Sequence, residues 1–199
     1  MSYSKRRIIL SFIILIASIV TSCNANNSET TDQSIDQSPK TSGQAHVAPK
    51  ILFRDSMPKP AGYVNDYDSL YTPEQKQTLE NLMADFEKRS TFQIALVVFD
   101  TLMVDKDSLG PVTKKIGENW GVGQKEKNNG IVIGICTGFH KMYISLGTGT
   151  ANLLSEQQTK QIINDHFVPE FKKDNYYAGT LNGVKALMNV LGKVDEIIE

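Results

Sequence analysis

The chain has 199 residues, with 21 basic and 22 acidic side chains and a formal net charge of −1. This balance lacks the excess positive charge with which proteins hold phosphate backbones, so no nucleic-acid partner is expected. With only two cysteines, a disulfide-rich scaffold is also excluded.

The amino-terminal segment has the parts of a secretion signal. Three basic residues at 5–7 precede an uncharged apolar stretch at 8–20, which is shorter than the roughly 20 residues that a membrane-spanning helix needs. Small residues at 21 and 22 then precede Cys23. This pattern is similar to a lipobox, at which a bacterial lipoprotein is diacylated on cysteine and cleaved. The alternatives are an ordinary signal peptide and an uncleaved anchor.

We therefore predict a lipoprotein signal peptide at 1–22 and a mature chain that starts at Cys23. Two or three acyl chains on Cys23 would hold the protein on a bilayer. The expected location is the bacterial cell envelope, outside the cytoplasm and facing the periplasm or the surface. Loss of the three basic residues leaves 18 against 22 acids, a net charge of −4.

Residues 23–57 are predicted to form a flexible tether. The segment is rich in Ser, Thr, Asn and Gln and has no apolar period, so it cannot bury enough surface to offset the entropy of ordering. As a coil it would reach on the order of 30 Å. Residues 58–199 have globular patterning and the length of one domain.

The first half of this domain predicts helix, strand, helix. Thr72 and Gln75 form a capping box that opens a helix, and apolar residues follow at helical spacing. Residues 92–99 form a nearly continuous apolar run, typical of a strand that is buried on both faces. A second helix is expected after Gly110-Pro111.

The second half predicts a hairpin and two helices. Strands at 131–136 and 142–146 are joined by a short link at Thr137-Gly138-Phe139-His140, and so short a link implies an antiparallel hairpin. Ser155 opens a helix that Pro169 should kink or end, and Gly192 is placed to stop the last helix. The order predicts an α/β fold, a three-layer α/β/α sandwich with a small mixed sheet.

Few residues in the sequence indicate a catalytic or ligand-binding site. No phosphate-binding loop, dinucleotide fingerprint or zinc-protease motif is present. Cys136 lies in an apolar run, which favours a buried core residue over a nucleophile. Asp66 and Asp68 have the D-x-D spacing of aspartyl phosphatases but follow no clear buried strand. Asn128-Asn129-Gly130 has two open interpretations, a binding loop that leads into a sheet or a plain turn.

Seven short segments nevertheless resemble, in order, the TPM domain family, which includes thylakoid-lumen proteins linked to photosystem repair and many membrane-anchored bacterial proteins. They are Pro60-x-x-Tyr63-Val64-Asn65-Asp66-Tyr67, Gln93-Ile94-Ala95-Leu96-Val97, Trp120-Gly121-Val122-Gly123, Asn129-Gly130-Ile131-Val132, Ser145-Leu146-Gly147-Thr148-Gly149, Pro169-Glu170-Phe171-Lys172 and Tyr176-x-x-Gly179. The resemblance implies an α/β/α sandwich outside the cytoplasm, divalent-metal binding and, for some members, acid phosphatase activity.

The resemblance places candidate metal ligands for Ca²⁺ or Mg²⁺ at Asp66, Asn128, Asn129 and Glu156. The family usually has Asp where Asn128 stands and Glu where Ala151 stands, so two carboxylates are missing. Hard cations need carboxylates to offset their dehydration. We therefore expect metal binding to be weak or absent.

Two functions follow from these residues. The first is a non-catalytic binding or accessory module, held on a membrane by lipid on Cys23 and contacting another envelope protein. The second is a divalent-metal-dependent acid phosphatase that acts on phosphomonoesters, for which no catalytic residue is assigned. The two missing carboxylates favour the first function, the binding or accessory module.

Overall fold

The computed structural model describes residues 56–198, and their side chains as far as Gly192. The predicted signal peptide, Cys23 and the tether up to residue 55 lie outside the described residues and stay predictions. From the end of the tether onward the chain is fixed to the domain: the Trp120 indole donates to the Pro58 carbonyl oxygen at 2.8 Å, and Met57 packs on the domain's second apolar cluster.

A four-stranded mixed sheet forms the middle layer. Its strands are β1 (Val64–Asp66), β2 (Gln93–Val98), β3 (Gly130–Cys136) and β4 (Lys141–Leu146), in that spatial order. The first three strands are parallel and β4 is antiparallel to β3. A short 3₁₀ turn at Thr137–Phe139 joins the last two strands, which confirms the predicted hairpin.

Six α-helices are described in this part of the chain. They are α1 (Pro73–Ser90), α2 (Leu109–Trp120), α3 (Thr148–Ala151), α4 (Glu156–Ile162), α5 (Val168–Phe171) and α6 (Tyr176–Ile198). The capping boxes of Thr72 and Ser155 are both formed. None of the helices in residues 56–198 is long and apolar enough to cross a membrane.

The two faces of the sheet carry separate apolar clusters, as alternation along a strand requires. Ile94, Leu96 and Val98 of β2 join the cluster that α1, α4 and α6 cover. Ala95 and Val97 point the other way, into the cluster beneath α2. Helices therefore cover both faces, and the α/β/α sandwich is confirmed.

The strand β1 was not predicted, since three residues give no usable periodicity. Its parallel register with β2 places Val64 opposite Leu96 and Asp66 opposite Val98. On its outer side the Glu80 carboxylate accepts hydrogen bonds from the backbone N–H groups of Tyr63 at 2.9 Å and Val64 at 2.8 Å. Glu80 thus occupies donors that an edge strand would otherwise leave open.

Two helix boundaries differ from prediction. Gly192 does not stop the last helix, which runs on to Ile198; a helical glycine costs only about 1 kcal/mol against alanine. Pro169 was expected to kink or end its helix, and it does not end it, although the helix is irregular just before it. The residues before it form a π-helical segment, Ile163–Phe167, and Pro169 falls in the first turn of α5, where its missing N–H is not needed.

Candidate functional site

Polar residues gather at the two opposite ends of the sheet. The aspartate end consists of Asp66, Asp68 and Asp100, which follow or close the parallel strands β1 and β2. The glycine-rich end consists of the loops 121–130 and 147–149, where β3 begins and β4 finishes. The register separates them by five residue steps, from Gly130 to Ile135 along β3, or about 16 Å.

At the aspartate end, the Asp66 carboxylate is held by its own loop. One oxygen accepts from the backbone N–H groups of Asp68 at 3.3 Å and Leu70 at 3.1 Å. The other accepts from Tyr71 N–H at 2.9 Å. This arrangement shapes the turn between β1 and α1, and a cation would have to compete with three backbone donors for the same oxygens.

Two polar groups at this end, Thr137 and Asp100, were missed by the sequence reasoning. The Thr137 hydroxyl donates to the Asp68 carboxylate at 2.7 Å, which ties the loop after β1 to the turn after β3. Asp100 accepts from Leu102 N–H at 2.6 Å. Cys136 is fully buried, and its burial raises the pKa of the thiol. Cys136 is therefore a neutral core residue, as predicted.

At the glycine-rich end, the buried Asn129 side chain joins two parts of the chain by hydrogen bonds. Its side-chain oxygen accepts from Gln124 N–H at 2.8 Å. Its amide nitrogen donates to the Thr91 carbonyl oxygen at 2.8 Å and to the Thr91 hydroxyl at 3.2 Å. These bonds join the loop 121–130 to the residues just before β2. The amide has little capacity left for a ligand.

Asn128 is exposed and contributes mainly through its backbone. It adopts a left-handed conformation with φ 47°, which asparagine tolerates better than most residues. Its N–H donates to the Gln124 carbonyl at 2.7 Å and its carbonyl accepts from Gly149 N–H at 3.0 Å. The turn interpretation of Asn128-Asn129-Gly130 therefore describes its backbone well.

The two loops of the glycine-rich end lie so close to each other that their glycine positions have no room for a side chain. A Cβ on Gly130 would overlap the Val122 carbonyl oxygen, and a Cβ on Gly149 would overlap that of Lys127. These atoms belong to backbone and cannot rotate away. The two glycines are thus required by packing, which explains their presence without a ligand.

A depression of about 200 Å³ opens beside these loops. Asn128 and Thr148 lie on one side of it, with Lys114 and Glu118 of α2 on the other. The sequence reasoning had singled out neither charged residue. Glu118 is the one carboxylate among the lining residues, and the Lys114 ammonium offsets its charge. Among the side chains described, those of residues 56–192, no three His, Cys, Asp or Glu are grouped to hold a metal ion.

The four predicted ligands are therefore not brought to one place. Asn128 and Asn129 are adjacent, Asp66 lies at the other end of the sheet, and Glu156 opens α4. The Glu156 carboxylate pairs with the Lys160 ammonium at 2.7 Å, and this hydrogen bond lowers the carboxyl pKa. A cation with oxygen ligands at 2.3–2.6 Å cannot contact both ends of the sheet, so these four residues do not form one site.

A polar chain flanks the glycine-rich end. The Tyr63 hydroxyl donates to the Glu87 carboxylate at 2.6 Å, and the Gln93 amide donates to the same oxygen at 3.3 Å. Gln93 in turn accepts from Gly123 N–H at 2.6 Å. The hydrogen bond to Glu87 is the main cause that raises the pKa of Tyr63 to about 12.

Comparison with known proteins identifies the fold and family. A family model described as the TPM domain matches residues 64–190. The solution structure of the N-terminal domain of a protein from P. gingivalis superposes with a TM-score of 0.61 at 24% identity, over 74% of this chain and 90% of that one. The BA42 protein of the psychrophilic bacterium Bizionia argentinensis gives 0.55 at 18% identity, over 64% and 85%. A search of curated proteins finds no match.

Proposed function

The chain belongs to the TPM domain family, and we propose that it is a non-catalytic module of the bacterial envelope, tethered to a membrane by lipid on Cys23, that binds or supports another envelope protein. The observation that carries this proposal is the state of the candidate ligands. Asn129 is buried and holds two parts of the chain together through its side-chain amide, and Asn128 and Ala151 stand where the family resemblance implies carboxylates.

Charge is the physical reason for preferring a module. Binding a dication requires anionic oxygens to offset the loss of its hydration shell. The depression at the glycine-rich end offers one carboxylate and one ammonium, Glu118 and Lys114. Its side chains therefore supply no net negative charge.

A calorimetric titration with Ca²⁺ tests this reasoning. We suggest the mature chain from residue 23 with Cys23→Ser, beside a variant that also carries Asn128→Asp and Ala151→Glu. The expected result is no measurable heat for the parent and a clear binding isotherm for the variant. The charge-matched control is Asn128→Asp with Asn152→Glu. It carries the same two added carboxylates, but the second stands at position 152, which is exposed like position 151 beside it. Saturable Ca²⁺ binding by the parent would contradict the proposal.

The anchor and the partner need separate experiments. Mass spectrometry of the mature amino terminus should detect a diacylglyceryl group on Cys23, and Cys23→Ser should release the protein from membranes. An affinity pull-down from membranes should then retain a specific envelope protein with the lipidated chain. If repeated pull-downs retain none, the module hypothesis loses its basis.

The alternative is a metal-dependent phosphatase, because the matching family model is named for that activity. The assay is hydrolysis of a generic phosphomonoester with Ca²⁺, Mg²⁺ or Mn²⁺, beside Asp66→Ala. Activity in the parent that disappears in the variant would favour the enzyme, provided that thermal unfolding shows both proteins folded. Equal activity in both proteins, or none in either, would remove this alternative.

A further inference from the structure

A pocket of about 330 Å³ lies where β3 ends and β4 begins, away from both loops of the glycine-rich end. Ile135 and Cys136 of β3 and Met142 of β4 contribute to its lining. Val168 and Phe171 of α5 close another side. In open α/β sheets, ligands bind beyond the carboxyl ends of the parallel strands, and this pocket is at such an end.

The interior of the pocket is mostly apolar. Cys136 is fully buried, and burial keeps its thiol protonated by raising its pKa. The Phe171 ring is fixed between Phe167, at a centroid distance of 5.9 Å, and Tyr176, at 4.9 Å. Pre-formed, mostly apolar concavities with a few polar groups are typical of small-molecule sites.

The rim of the pocket is basic. Its polar lining residues are His140, Lys141, Lys172 and Tyr176, and no carboxylate lines it. The Lys141 ammonium is already paired with Asp107 at 3.1 Å. Lys172 has no side-chain hydrogen bond or ion pair to any of the described residues, so its ammonium is available to an incoming anion.

We propose that this pocket binds a medium-chain fatty carboxylate, with its alkyl chain between Met142, Val168 and Phe171 and its carboxylate at Lys172. Charge complementarity selects the head group, since Lys172 is the rim cation without an ion pair among the described residues and no carboxylate lines the pocket. Asp68 and Asp100 lie outside the lining, on the side of Cys136, so the carboxylate head group is placed at Lys172, away from them. The volume selects a short chain, because it lies near the lower limit of the roughly 300–1,000 Å³ typical of ligand pockets. The Tyr176 hydroxyl, 3.5 Å from His140 Nδ1, adds a polar group at the same rim.

The test is calorimetric titration of the mature chain with Cys23→Ser, which carries no acyl group of its own. Octanoate should bind saturably, with a dissociation constant of roughly 0.1–1 mM for so small a ligand. Octylamine has the same chain and the opposite charge, and it should bind at least about ten-fold more weakly, because a charge-assisted pair is replaced by repulsion.

Two lysine variants locate the site. Lys172→Gln should weaken octanoate binding about ten-fold, the effect of losing one charge-assisted hydrogen bond. The matched control is Lys173→Gln, since Lys173 is the next residue, is exposed, and pairs with Glu170 rather than lining the pocket. A second variant, Val168→Phe, fills the pocket from α5 and should abolish binding of octanoate, with folding checked by thermal unfolding.

The proposal is overturned if octanoate shows no saturable binding, if octylamine binds as tightly, or if Lys172→Gln binds octanoate like the parent. Unchanged binding in a folded Val168→Phe variant would also overturn it. The result is independent of the anchor, the envelope partner and Ca²⁺, so it can fail while the proposed function stands.

Discussion

At the glycine-rich end of the sheet, backbone packs directly against backbone, whereas at the aspartate end carboxylates fill the space between loops. Gly130 and Gly149 allow the first arrangement, and Asp66 with its three backbone donors represents the second. The difference decides what each end tolerates. Direct backbone packing admits no added atom, while a carboxylate that accepts hydrogen bonds can be replaced at a moderate loss of stability.

The largest effect is expected for Gly130→Ala. The new Cβ would overlap the Val122 carbonyl oxygen. The Cβ is bonded directly to the main chain and the oxygen is part of it, so neither can rotate away. We therefore expect a loss of about 3 kcal/mol in the free energy of unfolding. Denaturant titration measures it. Gly192→Ala is the control: nothing lies within 4 Å of its added Cβ, so it should stabilise α6 by about 0.5–1 kcal/mol. Equal effects in both variants would contradict the packing argument.

The next effect is expected for Asn129→Ala. It leaves Gln124 N–H and the Thr91 carbonyl without their side-chain partner. Both bonds are partly buried, but the Asn129 side chain is itself buried, so its loss leaves a gap as well as two unsatisfied groups that cost about 1 kcal/mol each. We expect a net loss of about 2–3 kcal/mol by denaturant titration. Asn128→Gly, at the neighbouring left-handed residue, should leave stability nearly unchanged, because glycine accepts positive φ.

A smaller loss is expected for Asp66→Ala at the aspartate end. Three backbone N–H groups lose their acceptor, but this part of the loop is only partly buried and water can replace some of the bonds. We expect about 1–2 kcal/mol by the same measurement. Glu156→Ala should cause no measurable loss, because its ion pair with Lys160 is exposed. If Asp66→Ala exceeds Gly130→Ala, the contrast between the two ends is reversed.

The smallest effect is expected in the pH dependence of stability, through Tyr63 in the polar chain beside the glycine-rich end. The pKa of Tyr63 is raised from 10.0 to about 12. Between these values the unfolded chain loses the phenol proton while the folded chain keeps it, so stability should fall as pH rises from 10 towards 12. The Tyr63→Phe variant has no phenol to titrate, so its stability should fall less between pH 10 and 12 than that of the parent. Glu87→Gln should move the Tyr63 pKa back towards 10, as followed by phenolate absorbance.

Local chemistry determined much of the fold. Thr72 and Ser155 cap helices with groups only three residues away, and the hairpin follows from a link of four residues. Continuous apolar runs and the short hairpin link located three of the four strands. These features depend on neighbours in the sequence, so the sequence predicted them, and the seven ordered segments added the family.

Tertiary structure alone decided the rest. The three residues of β1 form a strand because β2 lies beside them, and the Glu80 carboxylate binds the N–H groups of Val64 and of Tyr63 just before the strand. The end of the sheet at which Asp66 lies, and its distance from Asn129, follow from strand order, which no local pattern encodes. The same is true of the pocket at Lys172, whose lining comes from β3, β4, α5 and α6. Residues distant in sequence meet there because the sheet and its helices bring them together.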